Sequence, residues 1–237
     1  MMKDKKEFEM KIKKKYFIPA ALAVLTILFT ILIRVVDVKS IGPNDSNVGF
    51  SSINKFFFDL FGSKFNEPPY IVSTIVAYSA FGVIGFFGLF GLYQLIKRKS
   101  LLKVDKELIA LGILYLVVLG TYALFNVVEL NYRPVIFDGK LEASFPSSHT
   151  LIAIVVFESA SLLISRYIKN RKLAIALKIS FSAISLTIEI TRIIANVHWI
   201  TDIVGGVLFA ATYLTLFWCV ITDIRVDEDS SNGDEVQ

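Results

Sequence analysis

Apolar positions along this chain gather into six long runs, separated by polar connections that carry most of the charge. The runs cover residues 17 to about 36, 70–96, 108 to about 128, 149–168, 173–194 and 203–222. Each is close to the ~20 residues that a helix needs to cross a hydrocarbon core. The polar stretch 37–69 is different. Between residues 50 and 65, Phe56, Phe57, Phe58, Leu60, Phe61 and Phe65 alternate with Lys55, Asp59 and Lys64. That pattern is too short and too polar to span. It predicts an amphipathic helix lying in the membrane interface, or one packed by the same face on its neighbours. In the second run Gly82, Gly85, Gly88 and Gly91 recur every third residue, a spacing that predicts close approach of another helix. The expected fold is all-α: a six-transmembrane-helix bundle with an interfacial amphipathic helix between the first two spans. One membrane domain, residues 17–222, is expected between a basic tail (1–16) and an acidic tail (223–237) too poor in apolar residues to fold.

Composition agrees with this picture, because 54% of the 237 residues are hydrophobic and concentrated in the runs. The basic N-terminus followed by an apolar stretch resembles a signal peptide. However, the stretch exceeds a signal core of ~7–15 residues and no small-x-small cleavage site follows, so a retained first helix is expected. The net charge of +4 would suit nucleic-acid binding, but the distribution of basic residues explains it better. The N-terminal tail, the 97–106 loop and the 166–172 turn carry seven, five and four lysines and arginines; the intervening segments hold only Lys39, Lys55, Lys64, Arg133, Lys140 and Arg192. By the positive-inside rule both termini are cytoplasmic in a multi-pass protein of the cell membrane. Membrane lipids rather than nucleic acid are the expected partners. Cys219, the one cysteine, lies in the last run, so no intramolecular disulfide exists.

This orientation brings the only two histidines, His149 and His198, to the outer face. In Pro146-Ser147-Ser148-His149, Ser147 is placed to cap the fourth helix, whose free N–H groups form an anion site; the plain alternative is that Ser147 only caps. His198 is followed four residues later by Asp202, which on one helical turn shares its face. A carboxylate on one imidazole nitrogen makes the other a better nucleophile. Arg192 ends the fifth helix with a planar fork suited to phosphate oxygens. The plain alternative there is a snorkelling arginine and an interfacial belt of His198 and Trp199. Two histidines, Arg133, Arg192 and Asp202 at one membrane level favour phosphoryl transfer through a phosphohistidine. No metal and no cofactor is expected, since HExxH, GxGxxG and P-loop patterns are absent. Glu158, Lys178 and Glu189 fall inside spans and need partners or a wet cavity; Glu189, three residues before Arg192, is placed to hold it.

These residues resemble the type 2 phosphatidic acid phosphatase (PAP2) superfamily, whose motifs are KxxxxxxRP, PSGH and SRxxxxxHxxxD. Arg133-Pro134 matches the end of the first. Pro146-Ser147-Ser148-His149 matches the second with serine for glycine. Thr191-Arg192, His198 and Asp202 match the third with threonine for serine. The resemblance covers roughly residues 70–222, and the six-helix layout fits it as well. It implies His198 as nucleophile, Asp202 as its orienting partner and His149 as general acid, with Arg133, Arg192, Ser147 and the Ser148 backbone N–H cradling the phosphate. One departure stands out: the first-motif lysine position is Asn126. Loss of that cation is expected to weaken transition-state stabilisation by about 3 kcal/mol if it acts like one oxyanion donor; Lys140, in the same loop, is a substitute to consider. The implied activity is hydrolysis of a lipid phosphate or pyrophosphate, such as phosphatidic acid, phosphatidylglycerol phosphate or undecaprenyl pyrophosphate. Transfer to another lipid or sugar, and non-catalytic binding of a lipid phosphate, are the alternatives. No oligomeric state is implied.

Overall fold

Where the chain reads apolar it is helical, and two of the helix starts carry side-chain caps. The computed structural model describes residues 14–136 and 139–234; residues 1–13 of the basic tail and 235–237 of the acidic tail lie outside them. The helices are α1 (Phe17–Leu32), α2 (Ser51–Leu60), α3 (Glu67–Arg98), α4 (Lys106–Val127), α5 (Ser148–Tyr167), α6 (Arg171–Ile194) and α7 (Ile200–Asp234). Pro68 and Pro69 open α3, where a missing N–H costs nothing, and Lys97 and Arg98 close it against the negative end of the dipole. Ser147 caps α5 by accepting from Thr150 N, and Asn170 caps α6 by accepting from Leu173 N. A two-stranded ribbon, β1 (Lys39–Ser40) with β2 (Asn47–Val48), bridges α1 and α2.

Helix α5 is the axis of the bundle. It packs on α6, α7, α3 and α4, and 61% of its apolar window is buried against 33% for α7 and 11% for α3. Its inward residues include Ala153, Ser159, Ala160 and Ser161, small enough to let neighbours approach. The outward faces are apolar: Leu89, Leu116 and Phe81 are all exposed. Among the described residues five helices, α3 to α7, are long and apolar enough to cross a membrane. The sixth expected span, α1, is 16 residues of helix followed by turns from Ile33, so it covers only about 24 Å. It packs along α7, with Thr26 and Thr212 in hydrogen-bond contact at 3.0 Å.

Three expectations need correction. The glycines of α3 admit no neighbour: a Cβ added at Gly82, Gly85, Gly88 or Gly91 meets nothing within 4 Å. A three-residue step drifts about 60° around the helix, and α3 packs instead through Ser73, Ala80 and Phe87. The amphipathic helix is confined to Ser51–Leu60 because Phe50 and Gly62 take positive φ at its two ends. Finally, α7 continues through the acidic stretch as far as Asp234. Three of its charged residues there have ionic partners: Arg225 Nε lies 2.5 Å from buried Glu107 Oε1, Glu228 pairs with Arg166, which also bonds Glu107, and Asp223 pairs with Lys15. These ion pairs join the starts of α1 and α4 to the ends of α5 and α7. Both described chain ends therefore lie at one end of the bundle, opposite His149.

Candidate active site

At the other end, the ends of α4 and α6 meet the beginnings of α5 and α7. Residues 131–133 and 142–144 pair over them as a small hairpin, with Arg133 N donating to Glu142 O, Ser144 N donating to Asn131 O, and Tyr132 bridged to Ala143. A cavity of about 380 Å³ opens there. Its lining includes Arg133, Ser148, His149 and His198, together with Asn126, Glu129 and Glu142. Two imidazoles 49 residues apart in the chain thus face one space.

The other three expected residues are buried around that cavity. Asp202 Oδ2 stands 3.5 Å from His198 Nδ1 and accepts from Trp199 N at 2.9 Å. Asn131 and Ser144 lie beside the same carboxylate. Nδ1 is thus the ring nitrogen that faces Asp202. Ser147 is fully buried; its hydroxyl caps α5 and its N–H donates to Asp202 O at 3.0 Å, so Ser148 is the serine that reaches the cavity.

Arg192 does not snorkel, because only 1% of it is exposed. Its guanidinium lies over the Tyr70 ring at 4.9 Å and donates through Nη2 to Thr74 Oγ1 at 3.3 Å. Its Nε and Nη1 have no hydrogen-bond partner among the described residues, and neither ring nitrogen of His198 has one. Glu189 is not its counter-ion: Glu189 accepts from Ser185 and faces Glu158, whereas Arg192 turns toward α3. A buried cation short of acceptors is costly unless an anion joins it.

The charge balance favours an anion. Burial pushes the His198 imidazole well below its ordinary value, and the neighbouring Arg133 and Arg192 push it the same way; the Ser144 carbonyl opposes them. His198 is thus a neutral base beside two cations. Arg133 is held by Glu142, Nε to Oε2 3.0 Å, an ion pair whose carboxylate is half exposed. Among the described residues no three His, Cys, Asp or Glu side chains gather as a metal site. Asn126 lines the cavity with its Nδ2 donating to Tyr122 O, and Lys140 is exposed and outside the lining.

Several supporting residues carry no motif. Asn196, in the left-handed region with φ 55°, donates Nδ2 to the carbonyls of Phe58, Phe61 and Lys64. Asn54 on α2 donates to Gly49 O and Thr201 Oγ1 and accepts from Thr201 N. These two asparagines pin α2 to the connection that carries His198. Trp199 is buried, packs at a tilt against the Phe58 ring and donates Nε1 to Tyr132 O at 2.7 Å, so it joins that connection to the Arg133 hairpin. Gly205 and Gly206 seat the Pro146 segment on α7: a Cβ at Gly205 would meet the Phe145 ring at 2.2 Å, and one at Gly206 the Ser147 carbonyl at 3.0 Å. Adjacent glycines one turn after Asp202 were the available sequence signal for that seat. The side-chain bonds of Asn54 and Asn196 left none, since asparagine in a polar stretch reads as a turn.

Comparison with known proteins agrees with this arrangement. The model of the PAP2 superfamily matches residues 122–225, which span the hairpin, both histidines and Asp202. None of the curated proteins compared matches the chain. Among solved structures, a transmembrane PAP2-type phosphatidylglycerolphosphate phosphatase from Bacillus subtilis aligns with a TM-score of 0.56 at 20% identity, over 89% of this chain and 98% of that one.

Proposed function

Because residues 122–225 carry the PAP2 superfamily match and the chain has the fold of a transmembrane PAP2-type phosphatase, we propose that it is a membrane phosphatase that hydrolyses a lipid-head-group phosphomonoester or pyrophosphate through a phosphohistidine, without a metal. One observation carries the reading: both imidazoles line one cavity, beside the buried, acceptor-poor guanidinium of Arg192. In the proposed reaction His198 Nε2 attacks phosphorus, the bond to the leaving oxygen breaks, and protonated His149 gives that oxygen its proton. Water then attacks the phosphohistidine, His149 takes the water's proton, and inorganic phosphate leaves. Arg192, Arg133 and the Ser148 N–H at the start of α5 stabilise the equatorial oxygens. With the cavity at the helix ends, a substrate anchored by its own chains presents its head group there.

The test is phosphate release by purified protein in detergent with EDTA present, across phosphatidic acid, phosphatidylglycerol phosphate and undecaprenyl pyrophosphate. Phosphatidylglycerol phosphate is the first to try, given the structural match. Release from at least one of them, reduced roughly a thousandfold or more in His198→Ala, is the expected result. Release that stops on chelation, or that persists in the variant, contradicts the reading.

A further inference from the structure

A second cavity, of about 390 Å³, lies where α5 ends and α6 begins; Ser165, Ile168, Lys169, Arg171, Ile175 and Lys178 line it. The length of α5 puts this cavity about 30 Å from His149. Several cations at this end of the bundle are paired: Arg98 with Asp105, Arg166 and Arg225 with Glu107, Lys15 with Asp223. Lys169, Arg171 and Lys178 take no part in any hydrogen bond or ion pair among the described residues. Lys178 is the most demanding of the three. It sits seven residues inside α6, about 10 Å into a predominantly apolar span, where a charge needs a partner or a wet cavity. Glu158 and Glu189 bond serine hydroxyls, and among the described residues no carboxylate forms an ion pair with Lys178.

We propose that this cavity binds the phosphate head group of an anionic diacyl lipid from the leaflet opposite the active site. The phosphate lies among Lys169, Arg171 and Lys178, with the Ser165 hydroxyl and the opening N–H groups of α6 as further donors. Ile168 and Ile175 form the apolar wall toward the acyl chains. Lys178 reaches up from the hydrocarbon to the phosphate, which supplies the partner its depth requires. The site is independent of the catalytic reading, since it shares no residue with that cavity.

Native mass spectrometry of the full chain, released from detergent with either phosphatidylglycerol or phosphatidylcholine of identical tails, tests this. Phosphatidylglycerol should be retained at least tenfold more. Each cation removed should weaken retention about fivefold, so Lys169→Gln/Arg171→Gln/Lys178→Gln together should weaken it roughly a hundredfold. Lys178→Arg should keep it, and comparison with Lys178→Gln alone decides the matter if the triple variant does not fold. His198→Ala should retain the lipid like the wild type. Equal retention of the two lipids, no change in the glutamine variants, or loss in His198→Ala would each overturn the proposal. Binding of inorganic phosphate as tight as that of the lipid would overturn the lipid assignment.

Discussion

The cavity histidine His198 is a neutral group kept among cations, and that has consequences at the level of single side chains. Its folded-state proton affinity lies below the ordinary ~6.5 of histidine. Below that pH the unfolded chain takes up a proton that the folded chain refuses, so the contribution of neutral His198 to stability is lost as the medium is acidified from about 6.5. In detergent, the wild-type melting temperature should fall more between pH 7.5 and 5 than that of His198→Gln; parallel curves would show an ordinary histidine. Asp202 acts on the same ring from 3.5 Å. Asp202→Asn should lower kcat by about a hundredfold or more by loosening ring orientation and tautomer, with KM little changed. Glu142 holds Arg133, which the proposed reaction needs for the phosphate, and because that carboxylate is half exposed the pair is weak. Glu142→Gln should lower KM by up to about fivefold, measured at constant ionic strength, with no fall in kcat.

At the scale of elements, α2 is the part whose role its sequence pattern least disclosed. Its alternating aromatics announced an amphipathic helix, and Ile53, Phe56 and Leu60 are indeed exposed. What the pattern did not carry is the joint between α2 and the α6–α7 connection, because that joint is made by polar atoms of Asn54 and Asn196 bonding to backbone far away in the chain. Asn196→Gly keeps the positive φ accessible while removing three side-chain contacts to the carbonyls of Phe58, Phe61 and Lys64, in and just after α2, and should cost about 1–3 kcal/mol. If α2 positions His198, kcat falls along with the melting temperature; a fall in melting temperature alone would make α2 a structural prop only. The motif residues, by contrast, were legible because their spacings coincide with helix ends. Arg192 closes α6, Ser147 caps α5 and Asp202 lies in the first turn of α7. The α3 glycines misled because spacing alone does not say which face of a helix is covered.

For the whole molecule, the bundle separates two chemistries along α5: ion pairs and both described chain ends at one end, the candidate active site at the other. The alternation of apolar runs was enough to assign that polarity, since it depends only on an odd or even number of crossings between segments. In a Cys219→Ser background, Lys140→Cys should react with an impermeant maleimide on intact cells, and Lys103→Cys only after permeabilisation; the reverse order would invert the orientation. The central claim, that the His198 imidazole carries the phosphoryl group, is tested most directly by rapid acid-free quenching of the protein with a substrate bearing radiolabelled phosphate, followed by peptide mapping. The account predicts base-stable, acid-labile label on His198 in the wild-type protein and none in His198→Ala. Turnover without label on His198, or label on any other residue, would contradict it.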